Sequence, residues 1–283
     1  MTAELTKPLQ ATLHHIALGS PDCEKLAQFH HRVMGLDIRP EGDGFLGTAP
    51  GRRVHFVPGA AKTLVFAGFA VVAQDDLDAL EQRLVARKWT FDRLIEGTEQ
   101  FLPGAIEVVD PDGNMMRFGL GRTADVPVPG ALPARLQHVV VASTDAARLS
   151  LFYQEVLGFT LSDNVVDEDR TLKTAFLRCS EEHHSFAVFQ ASSNRFDHHC
   201  YEAREWSLIR DWGDHFAAQH VAVEWGPGRH GPGNNLFLFI HDLDGNWLEI
   251  SAELEIVTPD RPVGEWPHAQ RTLNQWGSAP LRT

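Results

Sequence analysis

Apolar and polar positions along this chain fall into strand and helix periods, and the succession of periods occurs twice. The apolar run Leu13–Leu18 predicts a strand. Ser20-Pro21-Asp22 follows, with the short oxygen-bearing side chains that cap helix N-termini, and apolar residues then recur at helical spacing as far as Gly35. The same order returns at Leu136–Ala142, Ser143-Thr144-Asp145 and Gly158. Gly35 and Gly158 stand where a left-handed residue ends a helix. Alternating strands follow in each half, then a second amphipathic helix at Asp75–Arg87 or roughly Trp206–Gln219. Each half ends in a hairpin whose Asp-Gly-Asn turn precedes a final strand.

The match extends to individual residues. Asp22-Cys-Glu-Lys-Leu-Ala-Gln-Phe29 reappears as Asp145-Ala-Ala-Arg-Leu-Ser-Leu-Phe152, an offset of 145 − 22 = 123 that also carries His15 onto His138. Asp110-Pro-Asp-Gly-Asn-Met-Met-Arg117 matches Asp242-Leu-Asp-Gly-Asn-Trp-Leu-Glu249 at 242 − 110 = 132. The second half therefore holds nine extra residues between these anchors. Matched anchors at one spacing indicate a duplicated domain. The pattern is an α+β plan with two small strand-rich modules per half. It divides into a first domain (1–125), a Pro/Gly-rich linker (126–135), a second domain (136–257) and a tail (258–283).

Composition narrows the function. The 283 residues are 43% hydrophobic and 22% charged, with a net charge of −13, which disfavours nucleic acid and anionic membrane surfaces as partners. The conspicuous apolar run from Thr63 to Gln74 falls short of the roughly 20 residues a membrane-crossing helix needs. Three irregularly spaced cysteines and an N-terminus without a basic-then-apolar leader predict a cytoplasmic protein. Fifteen histidines against two tyrosines direct attention to the histidines.

Where the copies differ, chemistry emerges. Glu249 lies on the final strand between Leu248 and Ile250, so it points away from their apolar face, and Arg117 takes its place in the first half. His138 has a partner in His15. His199, in Phe196-Asp-His-His-Cys-Tyr201, has no counterpart near Phe69-Ala70-Val71. The second half thus offers His138, His199 and Glu249 on three strands, the two-histidine, one-carboxylate arrangement of non-heme Fe(II) sites that activate oxygen. A closed structural zinc site would call for four ligands.

This pattern resembles the vicinal oxygen chelate superfamily, and specifically its two-domain type I extradiol ring-cleavage dioxygenases, over about residues 12 to 277. The resemblance implies two βαβββ modules per half and a metal-free first domain. It implies Fe(II), or Mn(II), held by His138, His199 and Glu249, with O2 as co-substrate and a catechol-type diol as substrate. It also implies that His184 exchanges a proton and that His230 and Asn234, in Gly226-Pro-Gly-Arg-His-Gly231 and just after it, orient the diol. Phe239 stands where relatives commonly carry a tyrosine, and Trp225 where homoprotocatechuate-type members place an arginine. Phe176, Trp225, Phe239 and His241 are expected at the substrate pocket, with Arg271 in the covering tail, and a homo-oligomer is expected as the assembly.

Three rival readings are weaker. The G-x-G-x-x-G match at Gly226–Gly231 leads into Pro232-Gly-Asn-Asn235 and the strand-like Leu236–Ile240, so it lacks the helix a dinucleotide site requires. A metal-dependent isomerase or small-molecule binding protein of the same superfamily would draw on a second glutamate and leave His184 and His230 idle. A purely structural protein would leave converging titratable groups without a purpose.

Overall fold

The computed structural model describes residues 7–122 and 130–280. Its strands form two sheets, one from each half of the chain. The first half comprises β1 (Ala11–Ser20), α1 (Cys23–Met34), β2 (Asp37–Glu41), β3 (Gly44–Ala49) and β4 (Arg52–Pro58), then β5 (Thr63–Val71), α2 (Gln74–Ala86), β6 (Asp92–Leu94), β7 (Ala105–Val109) and β8 (Met115–Leu120). These strands are ordered β2-β3-β4-β1-β5-β8-β7-β6, so two βαβββ modules meet where β1 pairs with β5. The second half repeats the plan with β9 (Arg135–Ser143), α3 (Ala146–Phe152), β10 (Thr160–Val166), β11 (Leu172–Arg178) and β12 (Phe186–Gln190), then β13 (Arg195–Glu202), α4 (Trp206–Ala218), β14 (Trp225–Arg229), β15 (Leu236–His241) and β16 (Trp247–Ala252). Its order is β14-β15-β16-β13-β9-β12-β11-β10-β17, the last strand, β17 (Gly264–Pro267), being supplied by the tail. A short helix, α5 (Gln270–Leu273), follows.

Local chemistry explains the boundaries. The Asp22 carboxylate accepts from the Lys25 N–H and that of Asp145 from the Arg148 N–H, capping α1 and α3. Gly35 and Gly158 both adopt the left-handed conformation. In the turns before β8 and β16, Asp110 and Asp242 each accept backbone N–H groups two and four residues on. After α3 the chain runs on through a π-helical turn at Tyr153–Leu157 before Gly158.

Domain edges differ slightly from the sequence expectation. The second domain begins one residue early, at Arg135, and the part of the linker expectation at 126–129 lies outside the described residues. The extra residues of the second half also become visible. The β3–β4 connection is residues 50–51, whereas the β11–β12 connection is residues 179–185 and carries His183 and His184.

One face of each sheet is sealed by the helices into a shared core that includes Leu26, Val33, Ile16, Leu149, Val139, Val141, Trp212, Leu248 and Ile250. The opposite face of β9, β12 and β11 presents a separate apolar set, Val140, Ala142, Ala187 and Phe189 backed by Phe176. Strand alternation divides β9 in this way, and it leaves His138, Val140 and Ala142 together on the second face.

Candidate metal centre and active site

His138 on β9, His198 on β13 and Glu249 on β16 meet on this second face, in the middle of the sheet. Among the described residues they are the one group whose ligand atoms lie close enough to share an ion, all within 4.8 Å of one another. His138 Nε2 is 3.2 Å and His198 Nε2 3.3 Å from Glu249 Oε2, and all three residues are buried. His199, expected from the sequence as the ligand, faces the other way. Its ring stacks against Phe196 and meets Tyr201 edge-on, within the core. Strand register is the reason. His198 pairs with Val140 and Cys200 with His138, so His198 and Cys200 share the face of His138, while His199 pairs with Val139 on the core side. A register shift between Phe196 and His198 brings Phe196 onto the same side as His199 despite their odd spacing.

The hydrogen bonds around the two imidazoles fix their protons. Gln137 Oε1 lies 2.5 Å from His138 Nδ1, and Asp197 Oδ1 lies 2.6 Å from His198 Nδ1. Each oxygen can only accept, so each Nδ1 carries a hydrogen, and in its neutral form each ring turns the lone pair of Nε2 toward Glu249. In that form two lone pairs and an anion converge, an arrangement that a divalent cation satisfies; without an ion, a hydrogen on an imidazole Nε2 bonds the carboxylate instead. Oxygen and nitrogen partners of this kind are what orient metal-bound histidines. Burial keeps His138 below the usual histidine range. Burial would raise the carboxyl of Glu249, but contacts from His138, His198 and His230 outweigh it and hold the group well below the usual carboxylate range. The donor set fits a metal.

The cavity beside this centre is lined by Val140, Thr174, Phe176, His184, Ala187, Phe189, Trp225, His230, Pro232, Asn235 and Phe239, with His268, Thr272 and Leu273 from the tail. His184 is buried, 4.4 Å from His138 between ring centroids, and burial followed by the nearby histidines His138 and His183 keeps it well below the usual histidine range. Gln137 joins the two sites. Its amide donates to the His184 carbonyl at 2.6 Å while its oxygen holds His138. His230 Nδ1 donates to the Leu273 carbonyl at 2.5 Å, and His230 Nε2 is 3.6 Å from Glu249 Oε1.

Phe176, Trp225 and Phe239 line the cavity, whereas three other residues expected at the site lie outside it. Asn234 is exposed in a left-handed turn, and its neighbour Asn235 is the buried residue, donating to Glu249 Oε1 at 3.3 Å. His241 shares the face of Phe239 but sits further along β15 against Trp247, outside the cavity. Arg271 lies exposed on the outer side of α5, and the inner side supplies Thr272 and Leu273. Sequence reasoning also missed Gln137 and Asp197. Each stands directly before a ligating histidine, and that adjacency is the signal that could have found them.

In the first half the three ligand positions are His15, Phe66 and Arg117. Gly68 pairs with both His15 and Arg117, as Cys200 pairs with His138 and Glu249. The counterpart of the second histidine is thus Phe66, three residues before the segment expected from the sequence. The Arg117 guanidinium lies 3.8 Å from the centre of the Phe66 ring and is bound to Glu107 at 2.7 Å, so a cation of the chain itself fills this place.

A family model, the Glyoxalase/Bleomycin resistance protein/Dioxygenase superfamily, matches residues 12–118 and again 135–250. The chain belongs to this superfamily. The two matched segments coincide with the two sheets, as a duplicated domain requires. Metapyrocatechase 2 of Cupriavidus necator is 25% identical over 295 residues, covering 94% of this chain and 88% of its own. The manganese-dependent 2,3-dihydroxybiphenyl 1,2-dioxygenase of Geobacillus genomosp. 3 is 24% identical, covering 94% and 91%. A variant of homoprotocatechuate 2,3-dioxygenase from Brevibacterium fuscum superposes with a TM-score of 0.83 at 24% identity, over 96% of this chain and 80% of that one, which shows the fold. No helix among the described residues is long and apolar enough to cross a membrane.

Proposed function

We propose that this chain is an extradiol dioxygenase that cleaves a catechol-type diol with O2 at a divalent metal held by His138, His198 and Glu249. The observation that carries the reading is the convergence of two histidine Nε2 atoms and a buried carboxylate beside an aromatic-lined cavity. When bound, the metal supplies Lewis acidity that lets a diol bind as an anion, and a centre at which dioxygen reacts. Fe(II) is the proposed ion, and Mn(II) is the alternative that the manganese-dependent relative supports.

The chain's own residues would do the rest. With its Nδ1–H committed to Leu273, His230 has Nε2 available to accept a diol proton. His184, buried and uncharged, is placed to exchange a proton with the reacting atoms. Asn235 holds the Glu249 oxygen that faces His230. Aromatic rings pack the substrate side, Trp225 stacking on Phe239 at 5.1 Å. Among the described residues no Lys or Arg lines the cavity, so a substrate carboxylate would lack a permanently cationic partner there, at a cost of several kcal/mol. The site therefore selects an uncharged diol.

The test is oxygen uptake by Fe(II)-loaded protein across a panel of catechols. Alkylcatechols should exceed 3,4-dihydroxyphenylacetate in kcat/KM by on the order of 100-fold, which is about 2.7 kcal/mol. A preference for the carboxylated diol would overturn the charge argument, and no uptake with any diol would overturn the enzyme assignment.

Phe239 presents the cavity with a ring edge and no hydroxyl. Phe239→Tyr introduces a donor about one ring away from His198, whose centroid is 5.3 Å from that of Phe239. Turnover or diol preference should change by on the order of 10²-fold, the low end of what one positioned proton-transfer group contributes. Unchanged kinetics would mean that the missing hydroxyl has no bearing on this site.

A further inference from the structure

One buried carboxylate has no part in the chemistry above. Asp163 on β10 is fully buried and holds the tail: Arg261 Nη1 donates to Oδ1 at 2.9 Å, the Gly264 N–H donates to Oδ1 at 3.1 Å, and Trp266 Nε1 donates to Oδ2 at 2.7 Å. His183 Nε2 lies 3.1 Å from the same Oδ2, and His183 Nδ1 lies 3.0 Å from His184 Nδ1. Although burial acts to raise it, contacts from His183, Arg261 and Trp266 hold the Asp163 carboxyl down to about 2. It is therefore ionised and can only accept.

The hydrogens of the two rings follow by elimination. In neutral His183 the Nε2 that lies 3.1 Å from the carboxylate carries the hydrogen, and Nδ1 is then bare. The hydrogen between the two Nδ1 atoms must come from His184. His184 in turn has a bare Nε2, on the side of its ring opposite His183.

We propose that Asp163 is a positioning residue that acts through His183 to fix the tautomer of His184, presenting a bare Nε2 to the cavity. Because Arg261, Gly264 and Trp266 share the same carboxylate, docking of the tail and orientation of His184 are coupled. The tail also covers the cavity with His268, Thr272 and Leu273, so the proton-exchanging group is set when the cover is in place. The inference rests on the role assigned to His184 above.

The direct measurement is the tautomer of His184 in metal-free, ¹⁵N-labelled full-length protein, read from long-range proton–nitrogen NMR correlations. The wild type should show Nδ1–H and a bare Nε2. In Asp163→Asn the amide turns an N–H toward His183, which reverses both rings and leaves His184 with Nε2–H. An Asp-to-Asn exchange that fixes the wrong histidine tautomer lowers kcat by about 10⁴ in serine proteases, and a loss of at least about 10² is expected here with KM within about threefold. Trp266→Phe removes a tail contact without reversing the rings. It should raise KM more than it lowers kcat and leave the tautomer as in the wild type.

A wild-type His184 bearing Nε2–H would overturn the proposal, as would an Asp163→Asn protein with wild-type tautomer and kcat. Should Asp163→Asn fail to fold, the wild-type spectrum alone decides. Wild-type protein that turns over no diol would sink the dioxygenase reading, and the spectrum would still decide this one.

Discussion

Glu249→Gln should release the metal and lower ring-cleaving turnover by at least about 10³-fold, a little over 4 kcal/mol of barrier. The reason is electrostatic as much as coordinative. Glu249 is buried, and it stays ionised only because His138, His198 and His230 surround it. A carboxamide keeps the shape but removes the anion that balances a divalent cation in a low-dielectric site. Its NH2 group can also donate to the Nε2 atoms, so the imidazoles are satisfied without an ion. Arg117→Gln is the matched change in the other half. There the guanidinium stacks on Phe66 and pairs with Glu107, and no converging donor set exists to lose. Metal content measured on both purified variants should be near zero for Glu249→Gln and equal to wild type for Arg117→Gln. Equal loss in both would overturn the division into a metal-binding half and a metal-free half.

The adjacent histidines His198 and His199 should part completely. His198→Ala removes one of three ligands, and metal affinity should fall by more than the roughly 10- to 100-fold typical of changes to a ligand's hydrogen-bonding partner. His199→Leu should retain metal and activity. The His199 ring is fully buried with neither nitrogen hydrogen-bonded, and burial pushes it down to about 3, so it is neutral in the folded protein. Replacing such a ring by an apolar side chain of similar size is expected to change stability by less than about 1.5 kcal/mol, in either direction. Metal titration of the two variants, with thermal unfolding as the control, checks this. Metal loss on His199→Leu with retention on His198→Ala would contradict the register that places His198 on the site face.

Much of the fold was legible because the chain states it twice. The capping aspartates, the two left-handed glycines and the Asp-Gly-Asn turns are local signals that do not depend on distant contacts, and each recurs at a matched place. Glu249 and His138 were equally accessible, since simple alternation places them. The choice between His198 and His199 was not. It depends on which side of β13 meets β9, and a register shift between Phe196 and His198 breaks the period-two rule just before the histidine pair. Asn234 and Asn235 present the same difficulty, where a left-handed turn sends one asparagine outward and the next inward. The Asp163–His183 contact joins residues twenty positions apart and the tail still further on, a separation at which local patterns carry no information. The missing counterpart of the His183-His184 pair in the first half could be seen only once the β11–β12 connection, residues 179–185, had been set against the shorter residues 50–51.

The central claim is that the second half alone forms an oxygen-using, ring-cleaving metal site. The most direct measurement follows oxygen consumption and visible absorbance together, in Fe(II)-loaded protein supplied with an uncharged catechol. The account predicts one O2 consumed for each diol and a yellow ring-opened product formed at the same rate. Metal bound at the site with no oxygen consumed, or oxygen consumed while the aromatic ring stays intact, would contradict it.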